Sequence, residues 1–226
     1  IYHKTRKFFQ IIGIRVFSNL NKKTWDQPIM VQNENGILGI IKKKFDNKYK
    51  YLLQAKLEPG NINHLQLSPT VQATESNYKR VHGGKKVPYI DFFLKSKKNK
   101  FIDQSEQGFR YLYKFNSNSL IDIKKKIKIK KNFFWFSVRD LIYLIKKKNI
   151  INMDTLSVLS SHIKKNNLDF PLITNKKLKS WIFKNDKKYF LKCTIISLQK
   201  LKGWIYNQKE KRHKKKKHFS IIGVNI

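Results

Sequence analysis

Glu58, Tyr78, His82 and Glu106 carry the kinds of side chain that accept and deliver protons. General acid–base chemistry needs such groups within hydrogen-bond reach of a reacting atom. Glu58 stands just before Pro59-Gly60-Asn61, a turn, so its carboxylate ends an extended run and can face a pocket. Otherwise it is a turn carboxylate that accepts local backbone N–H groups. His82 precedes Gly83-Gly84 and Glu106 sits in Ser105-Glu-Gln-Gly108. Glu106 is a base or a turn acceptor; Tyr78 is an acid or simply half-buried packing. Polar side chains crowd the same stretch: Gln54, Lys56, Gln66, Ser68, Thr70, Gln72, Thr74, Ser76, Asn77 and Arg80. No Cys/His cluster has the spacing of a metal site, so no metal or other cofactor is expected.

Residues 51–82 differ from the rest of the chain. Both alanines of the protein, Ala55 and Ala73, lie there, and the lysine runs halt. A segment that escapes the compositional bias around it is a candidate site.

The elements that would position these groups can be read from periodicity. Residues 8–16 read as a strand, 37–41 as a second and 49–56 as a third, with Asp46-Asn47 as the turn. Ser68-Pro69 has the form of an N-cap followed by Pro at the first helical position, which predicts a helix to about Tyr78. Its N-terminus would offer backbone N–H groups to a phosphate near residues 68–70. Residues 88–94 read as a short helix. Residues 109–115 alternate aromatics like a strand, 116–119 read as a turn, and 120–129 as the partner strand. Ser137 and Asp140 form a capping box that opens a helix to about Lys147, and Asp154 is taken as the cap of another through Ser161. Strands and helices mix without βαβ alternation, so the expected class is α+β.

The chain of 226 residues carries a formal net charge of +36 from 50 Lys+Arg and 14 Asp+Glu. Such a charge suits a nucleic-acid binder. The basic residues are almost all Lys, and their runs at 42–44, 95–100, 124–131, 146–148 and 209–217 are scattered like solvated faces. The balance is read as drift toward A+T-rich codons, so no specific nucleic-acid partner is expected. No apolar run nears the roughly 20 residues of a membrane span, so no membrane partner is expected. A single cysteine, Cys193, suits a reducing cytoplasm. Residues 7–16 (KFFQIIGIRV) and 217–226 (KHFSIIGVNI) form an internal repeat, and the chain opens on Ile1. Together these point to a fragment of a longer protein whose second domain begins near the end of this one.

Trp25-Asp-Gln-Pro-Ile, Gly36-Ile-Leu-Gly-Ile, residues 53–82, Gln104-Ser-Glu-Gln-Gly108 and Asn152-Met-Asp-Thr155 resemble the NDP-hexose 2,3-dehydratases in order and spacing. The resemblance covers residues 8–161, with a thinner echo over 178–226. It implies two tandem domains of Nudix-hydrolase-like fold, a mixed sheet flanked by helices, without the Nudix catalytic motif. Residues 1–175 would be the first repeat, and 176–226 a linker plus the truncated start of the second. The implied partners are a dTDP-sugar substrate, the second tandem domain and a homodimer mate. The implied activity is that of a carbon–oxygen lyase, expected to be inactive as an isolated fragment. It would remove the C2 hydroxyl of dTDP-4-keto-6-deoxy-D-glucose. Within the resemblance, Glu58, His82, Tyr78 and Glu106 are the catalytic candidates, and the choice of base stays open. Asn61 and Asn63 would meet sugar hydroxyls or thymine edges, or else form a turn. Lys56 and Arg80 would meet the diphosphate, and Trp25 would stack on thymine or pack in the core. Glu75 departs from the family pattern, which commonly has a basic residue there. Two other readings are an idle dTDP-sugar-binding domain left by duplication and a basic nucleic-acid-binding protein.

Overall fold

The computed structural model describes residues 9–81, 83–97, 100–162, 176–185, 188–206, 210–215 and 219–222. In chain order the first strands are β1 (Gln10–Ser18), β2 (Lys23–Val31), β3 (Gly36–Phe45), β4 (Lys48–Leu57), β5 (Leu65–Ser68) and β6 (Val71–Thr74). Helices α1 (Glu75–Tyr78) and α2 (Ile90–Leu94) come next, then β7 (Phe101–Ser105), β8 (Phe115–Asp122) and β9 (Phe133–Ser137). Helices α3 (Val138–Ile145), α4 (Met153–Ser161) and α5 (Lys176–Asn185) precede β10 (Leu191–Ile196), β11 (Trp204–Tyr206), β12 (Glu210–His213) and β13 (Ser220–Ile222). The chain is α+β and rich in strand. It forms two units: residues 1–33, 107–112 and 170–226 make the first, and 34–106 with 113–169 make the second.

The second unit is built on a seven-stranded mixed sheet of order β5-β4-β3-β8-β7, with β6 also on β3 and β9 also on β4. The β3–β8 pairing is parallel and the others are antiparallel. Strand β3 reads GILGII because it is covered on both faces. Ile41 faces one cluster with Leu52, Val71, Phe133 and the α2 residues Ile90 and Phe93. Leu38 and Ile40 face the other, with Leu53, Leu67, Leu141 of α3 and Val158 of α4. Each fully buried Leu, Ile or Phe contributes about 1.5–3 kcal/mol, so these two layers hold the sheet between its helices. The β3–β4 hairpin turns at Asp46-Asn47, both with positive φ, as a two-residue turn requires.

Several expected elements differ. The helix over 68–78 is instead two short strands, β5 and β6, followed by the single turn α1. Val71 and Ala73 are buried while Gln72 and Thr74 alternate outward, a period of two that outweighs the Ser-Pro signal. Ser68 is therefore not a helix N-cap, and no long-helix N-terminus stands at residues 68–70. Residues 109–114 are not a strand, and Tyr113 is left-handed and exposed. The expected turn at 116–119 lies within strand β8, which ends at Asp122, so the partner strand over 120–129 is absent beyond that residue. The α3 capping box is present in both directions: Asp140 N–H donates to Ser137 Oγ at 3.2 Å and Ser137 N–H to Asp140 Oδ2 at 2.7 Å. Helix α4 is capped by Asn152, not Asp154, through Thr155 N–H at 2.9 Å.

The first unit holds two three-stranded sheets, β10-β1-β2 and β11-β12-β13. Ile14, Val16 and Ile29 form its buried cluster. Strand β1 pairs along its length with β2 and also with β10 from the far end of the chain. Both copies of the internal repeat open a strand at equivalent residues, Gln10 and Ser220. Among the described residues no helix is long and apolar enough to cross a membrane.

Candidate functional site

The second unit brings together carboxylates from three separate segments. Glu58 follows β4, Glu106 follows β7, and Asp154 lies in the first turn of α4. Asp154 is half-buried, and its carboxyl is raised to about 6. Burial is the largest cause; the charges of Glu106 and then Glu58 add to it, and Lys56 opposes. The positive end of the helix dipole would favour the charged form, so burial and like charge outweigh it. In a chain with 50 basic and only 14 acidic residues, the convergence of three acids at one place is a departure from the general charge pattern.

Neighbouring side chains hold these groups. Lys56 Nζ pairs with Glu58 Oε1 at 2.8 Å, and Gln72 Nε2 donates to the same oxygen at 3.3 Å. Asn152 Nδ2 donates to Gln72 Oε1 at 3.3 Å and to Ser68 Oγ at 3.1 Å, tying α4 to β5 and β6. Asn116 Nδ2 donates to Glu106 Oε1 at 2.5 Å, and Gly36 N–H donates to Asn116 Oδ1 at 3.2 Å. A Cβ at Gly36 would stand 2.6 Å from Asn116 Oδ1, so this glycine admits the amide that orients Glu106. Lys114 is buried, donates to the Glu34 carbonyl, and is pushed below the usual lysine range by burial; Glu106 and Glu34 oppose that. Burial would raise Glu34, but hydrogen bonds from Ser76 and Thr74 hold it below the usual range. Further along α4, Ser157 Oγ donates to Gln104 Oε1 at 2.6 Å, and the fully buried Asn118 donates to the same oxygen at 2.8 Å.

The remaining expected residues divide. Gln54 is half-buried and pairs across to Ser68 and Phe133. Thr70 is buried, accepts from Ile41 N–H at 3.0 Å and donates to the Leu52 carbonyl. Asn61 donates to the His64 carbonyl at 3.1 Å; Asn63 and Gln66 donate to carbonyls at residues 148–149. These amides shape the 58–66 loop. Tyr78 packs on the core, and burial followed by the charge of Glu75 keeps its phenol protonated above the usual range. Asn77 is exposed, and Arg80 Nε donates to the Gly84 carbonyl at 3.0 Å. Trp25 belongs to the first unit, with Nε1 donating to Gln27 Oε1 at 2.7 Å. His82 lies outside the described residues. Reading Asp154 as a cap missed the acid whose titration departs furthest; the available signal was Asn152 two residues earlier, itself a strong cap former.

Asn152 caps α4 and bridges Ser68 to Gln72, so Asn152→Ala removes a cap and strands a buried hydroxyl. The expected cost is about 1–3 kcal/mol, read as a lower urea midpoint with unchanged m.

The NDP-hexose 2,3-dehydratase family profile matches residues 1–161. A dTDP-4-dehydro-6-deoxy-alpha-D-glucopyranose 2,3-dehydratase of Saccharopolyspora spinosa is 42% identical over 164 residues, covering 71% of this chain and 34% of that protein. One of the same name from Streptomyces violaceoruber is 42% identical over 165 residues, covering 71% of this chain and 37% of that protein. A third, from Amycolatopsis orientalis, is 32% identical over 235 aligned residues, covering 100% of this chain and 50% of that protein. The chain thus spans at most about half the length of these relatives. With a family match over more than two thirds of its length, the chain belongs to the NDP-hexose 2,3-dehydratase family.

Proposed function

We propose that this chain is a nucleotide-sugar 2,3-dehydratase domain acting on dTDP-4-keto-6-deoxy-D-glucose. The observation that carries the reading furthest is Asp154, a half-buried acid raised to about 6 by burial and by the charges of Glu106 and Glu58, in a chain of this family. The relatives' names supply the substrate class.

The C4 ketone acidifies the proton on C3. Glu58, ion-paired with Lys56, takes that proton, and the charge moves to O4. Asp154 donates a proton to O2 as the C2–O bond breaks, so the C3 hydrogen and C2 hydroxyl leave as water. The product enol, with OH on C3, takes a proton at C2 and becomes the 3,4-diketo-2,6-dideoxy sugar nucleotide. Tyr78, a protonated phenol, and His82 are the proposed donors to O4. Gln72, Thr74 and Lys56 line the proposed substrate side, and burial, followed by the charge of Glu106, favours the protonated form of Asp154.

The same reading takes residues 1–175 as the first of two tandem Nudix-like repeats and 176–226 as linker and opening of the second. It places the protein in the cytoplasm as a homodimer, with activity depending on the second repeat. An idle dTDP-sugar-binding domain is the competing reading.

The test incubates the full-length protein with dTDP-4-keto-6-deoxyglucose in deuterated water and follows the sugar by NMR. Loss of the C2 oxygen with deuterium arriving at C2 is expected. Glu58→Gln is expected to slow it about 10²–10⁴-fold. Sugar that binds unchanged favours the idle domain; sugar that neither binds nor reacts overturns both.

A further inference from the structure

Glu58 is the first residue beyond β4, whose last paired residue, Leu57, lies opposite Leu65. From there the sheet no longer fixes the chain, and side-chain partners set the direction of the carboxylate. Two donors reach it, and both reach the same oxygen. Lys56 Nζ stands 2.8 Å and Gln72 Nε2 3.3 Å from Oε1. Neither bond engages Oε2, so that oxygen keeps its lone pairs for an incoming proton.

The two donors differ in rigidity. Lys56 carries its ammonium on a flexible stem. Gln72 lies in β6, where it pairs with Leu38 of β3, and its amide is held at the other end as well. Asn152 Nδ2 donates to Gln72 Oε1 at 3.3 Å. Asn152 is itself buried, and its Oδ1 accepts Thr155 N–H at 2.9 Å. A backbone N–H can only donate, so it decides which end of the Asn152 amide is oxygen. The Asn152 nitrogen then faces Gln72 and requires oxygen there. The Gln72 nitrogen is left to face Glu58.

The polarity therefore runs unbroken from the first turn of α4 to the Glu58 carboxylate. Reversing either amide would set like ends against each other. The same turn of α4 carries Asp154, two residues after Asn152. The proposed proton donor and the proposed base are thus referred to one helix end, although the chain places them far apart. Gly36 N–H, Asn116 and Glu106 repeat the device at the neighbouring carboxylate: N–H to amide oxygen, amide nitrogen to Oε1.

We propose that Gln72 is a positioning residue for the reaction: its amide, oriented by Asn152, pins Glu58 Oε1 and turns Oε2 toward the C3 proton of the sugar. The proposal rests on the dehydratase reading above and adds to it the residue that aims the base. Gln72 transfers no proton itself. Misplacing a reacting group by about 1 Å costs on the order of 10²-fold in rate, so the aim of Oε2 matters to turnover.

The test compares Gln72→Met and Gln72→Glu in the full-length protein, with NMR of the sugar as the assay and melting curves as the check on folding. Gln72→Met keeps the length of the side chain and removes the donor. Its kcat is expected to fall about 10–100-fold with KM little changed. The deuterium isotope effect from sugar labelled at C3 is expected to stay at or above the wild-type value, because the defect lies in proton abstraction. Gln72→Glu keeps the shape and still accepts from Asn152, but near neutral pH it turns an anionic oxygen on Glu58. It is expected to be slower than Gln72→Met. A packing role gives the opposite order, since Glu is the closer isostere. Where Gln72→Met melts early, Asn152→Asp serves in its place: it still caps Thr155 N–H, can no longer donate to Gln72, and is expected to show the same loss of kcat.

Three results overturn the proposal: wild-type kcat in the folded variant lacking the donor, Gln72→Glu faster than Gln72→Met, or an isotope effect below the wild-type value. If the wild-type protein converts the sugar, each of these removes this proposal and leaves the dehydratase reading standing. A wild-type protein that leaves the sugar unchanged removes both.

Discussion

Asp154→Asn is expected to lower turnover of the full-length protein by about 10²–10⁴-fold while making this chain more stable at neutral pH. The two effects have one origin. The Asp154 carboxyl has an ordinary value of 3.8 and is raised to about 6 in the fold. The folded state thus binds this proton more tightly than the unfolded chain. Its stability contribution is full below about 3.8 and is lost as pH rises through about 6. At pH 7.5 the ionised group stands half-buried beside Glu106 and Glu58, at a cost of about 1–3 kcal/mol. Asn keeps the shape without the charge. For a chain of this size Tm should rise about 2–4 °C for each kcal/mol regained. The gain should fade toward pH 4, where Asp154 is protonated in the native protein as well. Melting curves at both pH values check this. A loss of Tm at both would make Asp154 a structural residue and remove it from the mechanism.

Gly39→Ala is expected to be the most destabilising single-methyl change in the second unit. An added Cβ would lie 2.1 Å from Phe93 Cε1, 2.4 Å from Cζ and 2.6 Å from Cδ1. Phe93 is fully buried in α2 and packs on Ile41, Leu52 and Phe133. The ring has no space to yield, and expelling it opens the core cluster. Overpacking usually costs about 1–3 kcal/mol, and this clash belongs at or beyond the upper end. The urea midpoint should fall accordingly. Gly39→Ala with Phe93→Leu should recover part of the loss, a coupling that a double-mutant cycle measures. Gly60→Ala, with nothing within 4 Å of its Cβ, should stay within about 0.5 kcal/mol. The two glycines of Gly36-Ile-Leu-Gly-Ile thus serve different neighbours: Gly39 a core ring and Gly36 the amide of Asn116.

Local chemistry made part of this fold legible. Asp46-Asn47 announced a hairpin because few other residues accept two positive φ values in succession. Ser137 and Asp140 announced α3 because a reciprocal cap is a local device. Legibility ended where tertiary contacts override propensity. Asn116-Ser-Asn-Ser has turn composition, yet Asn116 and Asn118 are buried in β8, where Glu106, Gln104 and Ser157 accept from their amides. Ser68-Pro69 has helix-start composition, yet Ser68 is held by Asn152, 84 residues away. The candidate site was half legible for the same reason. Glu58 and Glu106 announced themselves by their turns, but their meeting with Asp154 joins three distant segments, and no spacing in the chain encodes it.

The pairing of β1 with β10 imposes an order on biosynthesis. Gly13 lies opposite Ile196 and Ser18 opposite Leu191, so β1 waits for a partner that lies about 170–180 residues further along the chain. At about 5–20 residues per second, the ribosome needs roughly ten to forty seconds to deliver that partner. During the wait β1 and β2 form a two-stranded ribbon, which is marginal in water, with one edge unpaired. That open edge is a template for a neighbouring nascent chain, and the interval before β10 emerges is when a holding chaperone would matter most to this protein.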